Sequence, residues 1–299
     1  MINLSKFKLL SRYVGLILLV SVLLISCEKG NNVGGSNNNS ADEAVSEEGK
    51  SVENKNIEDM NIVFLGDSIT QNFESNGTSF PDIVKQETGA NTINMGFGGT
   101  AMSKHSSEAF DAFSFYQLSE AVTQGDYTLQ EDALKDDEIP TYFEKKLEEL
   151  ENIDWQNVDI IVIEYGANDW GKPIINESDT YDVNTFMGAG RSGMDKLLAK
   201  YPHLQFMMVP GIYRYWPDYN NVDTDSSVND LGLHPYEYSD AMSDLAKEYK
   251  FPAVDSLYGL GINKYNRELY FDGVDGTHPN QAGTNKLGNL VANTLMFYY

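Results

Sequence analysis

Short apolar runs alternate along this chain with stretches in which apolar residues recur every three or four positions. The runs occupy residues 61–65, 92–95, 159–165, 205–210 and, briefly, 253–255. They are rich in β-branched or aromatic residues and bounded by turn formers, so they predict strands. Ile160, Ile161, Val162 and Ile163 follow one another without alternation, the pattern of a central strand covered on both faces. Helical spacing marks 80–88, 142–150, 185–200, 236–249 and 281–296; in the third of these it runs through Met187, Met194, Leu197 and Leu198. Strands alternating with helices predict a doubly wound α/β domain with a parallel sheet over residues 61–299, and no internal repeat is present.

The first 60 residues break this pattern. Lys6, Lys8 and Arg12 precede an apolar stretch over 14–25, followed by Ser26 and Cys27. The stretch is too short to span a bilayer, so residues 1–26 predict a secretory signal peptide. Its end resembles a bacterial lipoprotein signal, which implies a lipidated Cys27, a membrane anchor and a place in the cell envelope outside the cytoplasm. Cys27 is the sole cysteine of the chain, so no internal disulfide is expected. Residues 27–60 are rich in Gly, Asn, Ser and Glu and lack aromatics, the composition of a disordered tether.

Charge narrows the partners. The chain has 21 basic and 45 acidic residues; without Lys6, Lys8 and Arg12 the balance is 18 − 45, or −27. Such a surface repels nucleic acid and favours neutral or cationic substrates. No grouping of His, Cys and carboxylates has zinc-site spacing, so neither a metal nor another cofactor is expected.

Four short motifs carry the chemistry. Gly66, Asp67, Ser68, Ile69 and Thr70 follow the first strand; Asn94 lies near the end of the second, with Gly96 and Gly99 after it; Gly166, Ala167, Asn168 and Asp169 follow the third; Asp275, Gly276, Thr277, His278 and Pro279 precede the last helix. A serine at the carboxyl end of a parallel strand sits where α/β sheets bind ligands. Asp275 lies close enough to His278 to orient its ring, leaving the other nitrogen to take a proton from Ser68. Each motif alone has a plainer reading: Gly-Asp-Ser and Asn168 as turn formers, Thr277 to Pro279 as a helix start. Trp170, Tyr213, Tyr215 and Trp216 lie near the same sheet edge, where aromatics either stack on sugar rings or pack.

In this order the motifs resemble those of the SGNH hydrolases, the GDSL-type esterases and lipases, over residues 61–299. The resemblance implies a flavodoxin-like three-layer α/β/α fold with a central parallel sheet. It also implies Ser68 as nucleophile, His278 as base, Asp275 as its partner, and an oxyanion hole from the amides of Ser68 and Gly99 and the Asn168 side chain. No serine sits in a G-x-S-x-G motif, which argues against an ordinary α/β-hydrolase. The segment 101–156 is longer than compact relatives need, which implies an insertion covering or bordering the site. Residues 100–155 hold 14 acidic residues against 4 lysines, and 142–150 reads as a helix with a solvated face. The expected activity is hydrolysis of short acyl esters, acetyl first, on carbohydrate. A lipase or lysophospholipase, and a non-catalytic carbohydrate-binding surface protein on the same fold, are the alternatives.

Overall fold

The computed structural model describes residues 55–72, 77–273 and 275–299. The expected signal peptide, Cys27 and the tether up to residue 54 lie outside the described residues. Four parallel strands, β1 (Asn61–Gly66), β2 (Asn91–Gly96), β3 (Ile160–Glu164) and β4 (Gln205–Met208), form one sheet in the order β2-β1-β3-β4. Central β1 and β3 are buried on both faces, which is why their sequences run apolar without a break.

Successive residues of these strands feed two cores. Ile62, Phe64, Ile160 and Val162 point to one face, where they meet α2 (Phe80–Thr88) and α10 (Gln281–Tyr298) through Val84, Leu287 and Val291. Val63, Leu65, Ile161 and Ile163 point to the other. There they meet α4 (Phe115–Gln124), α6 (Tyr142–Glu151), α7 (Phe186–Lys200) and α8 (Pro235–Tyr249). The result is the expected three-layer α/β/α arrangement. In the sheet register Gly66 lies opposite both Gly96 and Glu164, so three strands end at one level and deliver their following loops to a common edge.

Two expectations need correction. Residues 253–255 form no strand; Ala253 makes a single bridge to Met208, and Val254 N–H donates to the Met208 carbonyl. Residues 55–60 belong to the folded domain, because Ile57 and Met60 pack on the core and Lys55 Nζ lies 2.6 Å from Asp159. The acidic segment is a wall of the domain, built from α3 (Glu108–Asp111), α4, α5 (Thr128–Ala133) and α6. Its Phe113, Phe115, Phe143, Leu147 and Leu150 enter the core, while Glu144, Glu148 and Glu149 stay exposed. Among the described residues no helix is long and apolar enough to cross a membrane.

Candidate active site

Asp67 follows β1 and caps the single turn α1 (Ser68–Gln71), its Oδ1 accepting the Ile69 N–H at 2.9 Å. That cap holds Ser68 as the first residue of the turn, with its hydroxyl at the sheet edge. The loop before α10 meets it there. Asp275 Oδ1 accepts the amides of Thr277 and His278 at 2.7 and 3.1 Å, and Oδ2 lies 2.6 Å from His278 Nδ1. The opposite ring nitrogen, Nε2, lies 2.9 Å from Ser68 Oγ. Ser68, His278 and Asp275 thus form an unbroken hydrogen-bonded relay. Burial pushes the Asp275 carboxyl upward, but the His278 ring and the two amides outweigh it and hold the group below the usual carboxylate range.

Helix start and relay coexist in this loop. Asn280, just past His278, caps α10 by accepting the amides of Ala282 and Gly283. Gly276 has φ +64°, and a Cβ there would lie 2.2 Å from the Tyr215 carbonyl, so only glycine lets the loop pass.

The expected oxyanion donors gather beside Ser68. Among the described residues, no acceptor engages the amides of Ser68 and Gly99. Gly99 adopts φ +84°. Asn168 is exposed at the exit of β3; its Nδ2 donates to the Thr100 carbonyl at 2.8 Å and reaches Asp67 Oδ2 at only 3.5 Å. The second contact is at the limit of a hydrogen bond, so that proton is available to an incoming oxyanion.

Beneath Ser68 lies a charged cluster that sequence reasoning missed. Asp67 and Glu164 are buried and hydrogen-bonded to each other, and Thr70 donates to Glu164 at 2.9 Å. Burial raises Asp67 to about 6 and lifts Glu164 well above the usual range, so the pair retains a proton. The guanidinium of buried Arg214 balances the remaining charge, its own pKa lowered by burial. Asp169, also raised by burial, accepts the amides of Met102 and Ser103 at 3.0 and 2.9 Å and so ties the acidic wall to the β3 exit. Glu164 was detectable as a charge inside an apolar strand; Arg214 carried no such signal.

The four aromatic residues divide. Tyr213 and Tyr215 are 3% and 1% exposed, which removes them from any substrate surface. Tyr213 donates to Asp223 at 2.8 Å, and Tyr215 packs under the histidine loop. Trp170 and Trp216 stack with ring centroids 4.9 Å apart. With Tyr219, Val222, Ser226, Ser227 and Val228 they line a cavity of about 490 Å³. Trp170 Nε1 and Ser227 Oγ are buried there with no hydrogen-bond partner among the described residues. A larger groove of about 690 Å³ lies between α5 and α6, but acidic side chains line it and no group of the relay faces it. Among the described residues no cluster of three or more His, Cys, Asp or Glu could hold a metal ion.

Comparison with known proteins agrees with this fold. Residues 64–286 match the model of the GDSL-like lipase/acylhydrolase family. One solved structure superposes with a TM-score of 0.61 at 21% identity, over 82% of this chain and 99% of its own. A protein from Lactobacillus plantarum does so with a TM-score of 0.55 at 21% identity, over 80% of this chain and 98% of its own. A protein from Chitinophaga pinensis DSM 2588, named as a possible lipase, gives 0.51 at 16% identity, over 79% and 97%. At these identities the superpositions speak for the fold. No curated protein shows a significant sequence match.

Proposed function

From the premise that this chain belongs to the GDSL-like lipase/acylhydrolase family, a family of hydrolases, we propose that it is a serine esterase that removes short acyl groups, acetyl first, from carbohydrate. In this reading the enzyme works in a bacterial cell envelope, anchored through a lipidated Cys27. The observation that carries the chemistry is the relay itself, with contacts of 2.9 and 2.6 Å.

Ser68 Oγ attacks the ester carbonyl carbon as its proton passes to His278 Nε2. Asp275 keeps the other ring proton on Nδ1 and stabilises the imidazolium. The tetrahedral oxyanion accepts from the amides of Ser68 and Gly99 and from Asn168. Collapse breaks the bond to the alcohol oxygen, which takes the proton from Nε2 and leaves. Water then gives a proton to His278 and attacks the acyl-enzyme, releasing the acid and restoring Ser68. The cavity beside Trp170 and Trp216 supports a sugar as the alcohol: aromatic side chains line it together with Ser226 and Ser227, a mix of apolar and polar groups that suits a sugar ring.

The test is turnover of a chromogenic acetyl ester by the purified protein. Ser68→Ala should lower kcat by about 10⁴-fold with the fold intact. A variant keeping more than a tenth of wild-type activity would remove Ser68 from the nucleophile's role.

A further inference from the structure

The turn that presents the Gly99 amide is closed at its ends by Thr100, whose N–H and Oγ1 donate to the Phe97 carbonyl at 3.3 and 2.7 Å, but these bonds do not fix the peptide between its two central residues. Gly98 and Gly99 are consecutive glycines, and two residues without side chains leave the backbone free to choose among many conformations. An oxyanion donor is effective only when already in place, and a misplacement of about 1 Å can cost roughly 10²-fold in rate. The orientation of that central peptide must therefore be held from outside the turn.

The acidic wall holds it. Tyr142, the first residue of α6, accepts the N–H of buried Gly98 on its Oη at 2.8 Å. One helical turn later, Lys146 Nζ donates to the Asn94 carbonyl at 2.5 Å, holding the start of the same segment. The Phe110 ring lies under Gly99, where an added Cβ would sit 3.0 Å from Cε1. The Tyr142 hydroxyl also lies close to the nucleophile: an added Cβ at Gly98 would be 2.8 Å from Oη and 3.6 Å from Ser68 Cβ.

We propose that Tyr142 is a positioning residue for ester hydrolysis, a part that the acidic insertion contributes to the site. By accepting from Gly98 it fixes the entry to the turn, while Phe110 fixes the Cα of Gly99, so the amide between them stays aimed at the oxyanion. Without that oxygen the buried Gly98 N–H must seek another acceptor, and the glycine pair moves with it. The inference rests on the reading of Gly99 N–H as an oxyanion donor.

Tyr142→Phe keeps the ring and removes the acceptor. Assayed well below its own melting midpoint, it should lower kcat about tenfold or more while KM stays within about twofold, since the missing contact serves the transition state. The inhibition constant of an arylboronic acid, whose serine adduct mimics the tetrahedral intermediate, should rise by a similar factor. A folded Tyr142→Phe protein with kcat within twofold of wild type would overturn the proposal. So would a lower kcat with unchanged boronic acid affinity, because the loss would then lie outside the oxyanion hole. A wild-type protein without Ser68-dependent turnover would instead defeat the hydrolase reading beneath it.

Discussion

Asp275→Asn isolates the job of the carboxylate at almost no steric cost. In the native loop Oδ1 accepts two backbone amides and Oδ2 accepts the His278 ring proton. The asparagine keeps its oxygen on the two amides, because the flipped rotamer would face an NH₂ toward two N–H donors and lose two hydrogen bonds of about 1 kcal/mol each. Its NH₂ then donates to His278 Nδ1, the ring proton moves to Nε2, and no lone pair faces Ser68. Returning to the productive tautomer costs those two bonds and a donor–donor contact, about 2–3 kcal/mol. The imidazolium also loses its counter-charge, but Asp275 is 39% exposed, so solvent limits this to about 1–2 kcal/mol. Together the losses come to about 3–5 kcal/mol, or 10² to 10⁴ in kcat. Asp275→Ala leaves the ring free to take either tautomer, so it should be no slower than Asp275→Asn. Both are read from kcat on a chromogenic acetyl ester near pH 8, with Ser68→Ala as background. An asparagine variant above a tenth of wild-type kcat, or an alanine variant ten times slower than it, would show that tautomer control is not what Asp275 provides.

The substrate reading predicts that kcat/KM falls steeply from acetyl through butyryl to octanoyl esters of one alcohol, each unaccommodated methylene costing about 1–3 kcal/mol; an optimum at eight carbons would favour a lipase. The anchor reading predicts that Cys27→Ser remains uncleaved or is mislocalised, while the wild type fractionates with membranes; a fully soluble wild type with an unmodified Cys27 counts against it. Asp67 gives a pH signature, since burial lifts its pKa from 3.8 to about 6. The folded state holds a proton that the unfolded chain releases, so the stability this group brings is complete below about pH 4 and lost as pH rises through about 6. Asp67→Asn should therefore gain on the wild type between pH 4 and 7 by something on the order of 2 kcal/mol, read from urea midpoints; a pH-independent difference would contradict the burial argument.

Much of this molecule is legible in its sequence where chemistry and periodicity coincide. Apolar runs stopped by Gly66, Gly96 and Gly166 mark both the strands and the places where functional loops leave them. What escaped depends on contacts between distant segments. Tyr142 reads as the first residue of a solvated helix, and only packing brings its hydroxyl to Gly98. Tyr213 and Tyr215 look like surface aromatics because a strand exit has the same composition whether its side chains turn outward or, as here, fold beneath another loop. Ile57 and Met60 are too sparse among polar neighbours to form a pattern, yet both find the core.

The parallel sheet also separates where the chain is held from where it reacts. Lys55 meets Asp159 just ahead of β3, and the Tyr299 hydroxyl donates to the Phe206 carbonyl near the start of β4. Both ends of the described domain thus lie toward the rim opposite Ser68, about 20 Å away at the rise of a six-residue strand. A resin, reporter or fusion partner joined at either end would leave the mouth of the site unobstructed, so immobilised protein should turn over a chromogenic ester as readily as protein free in solution.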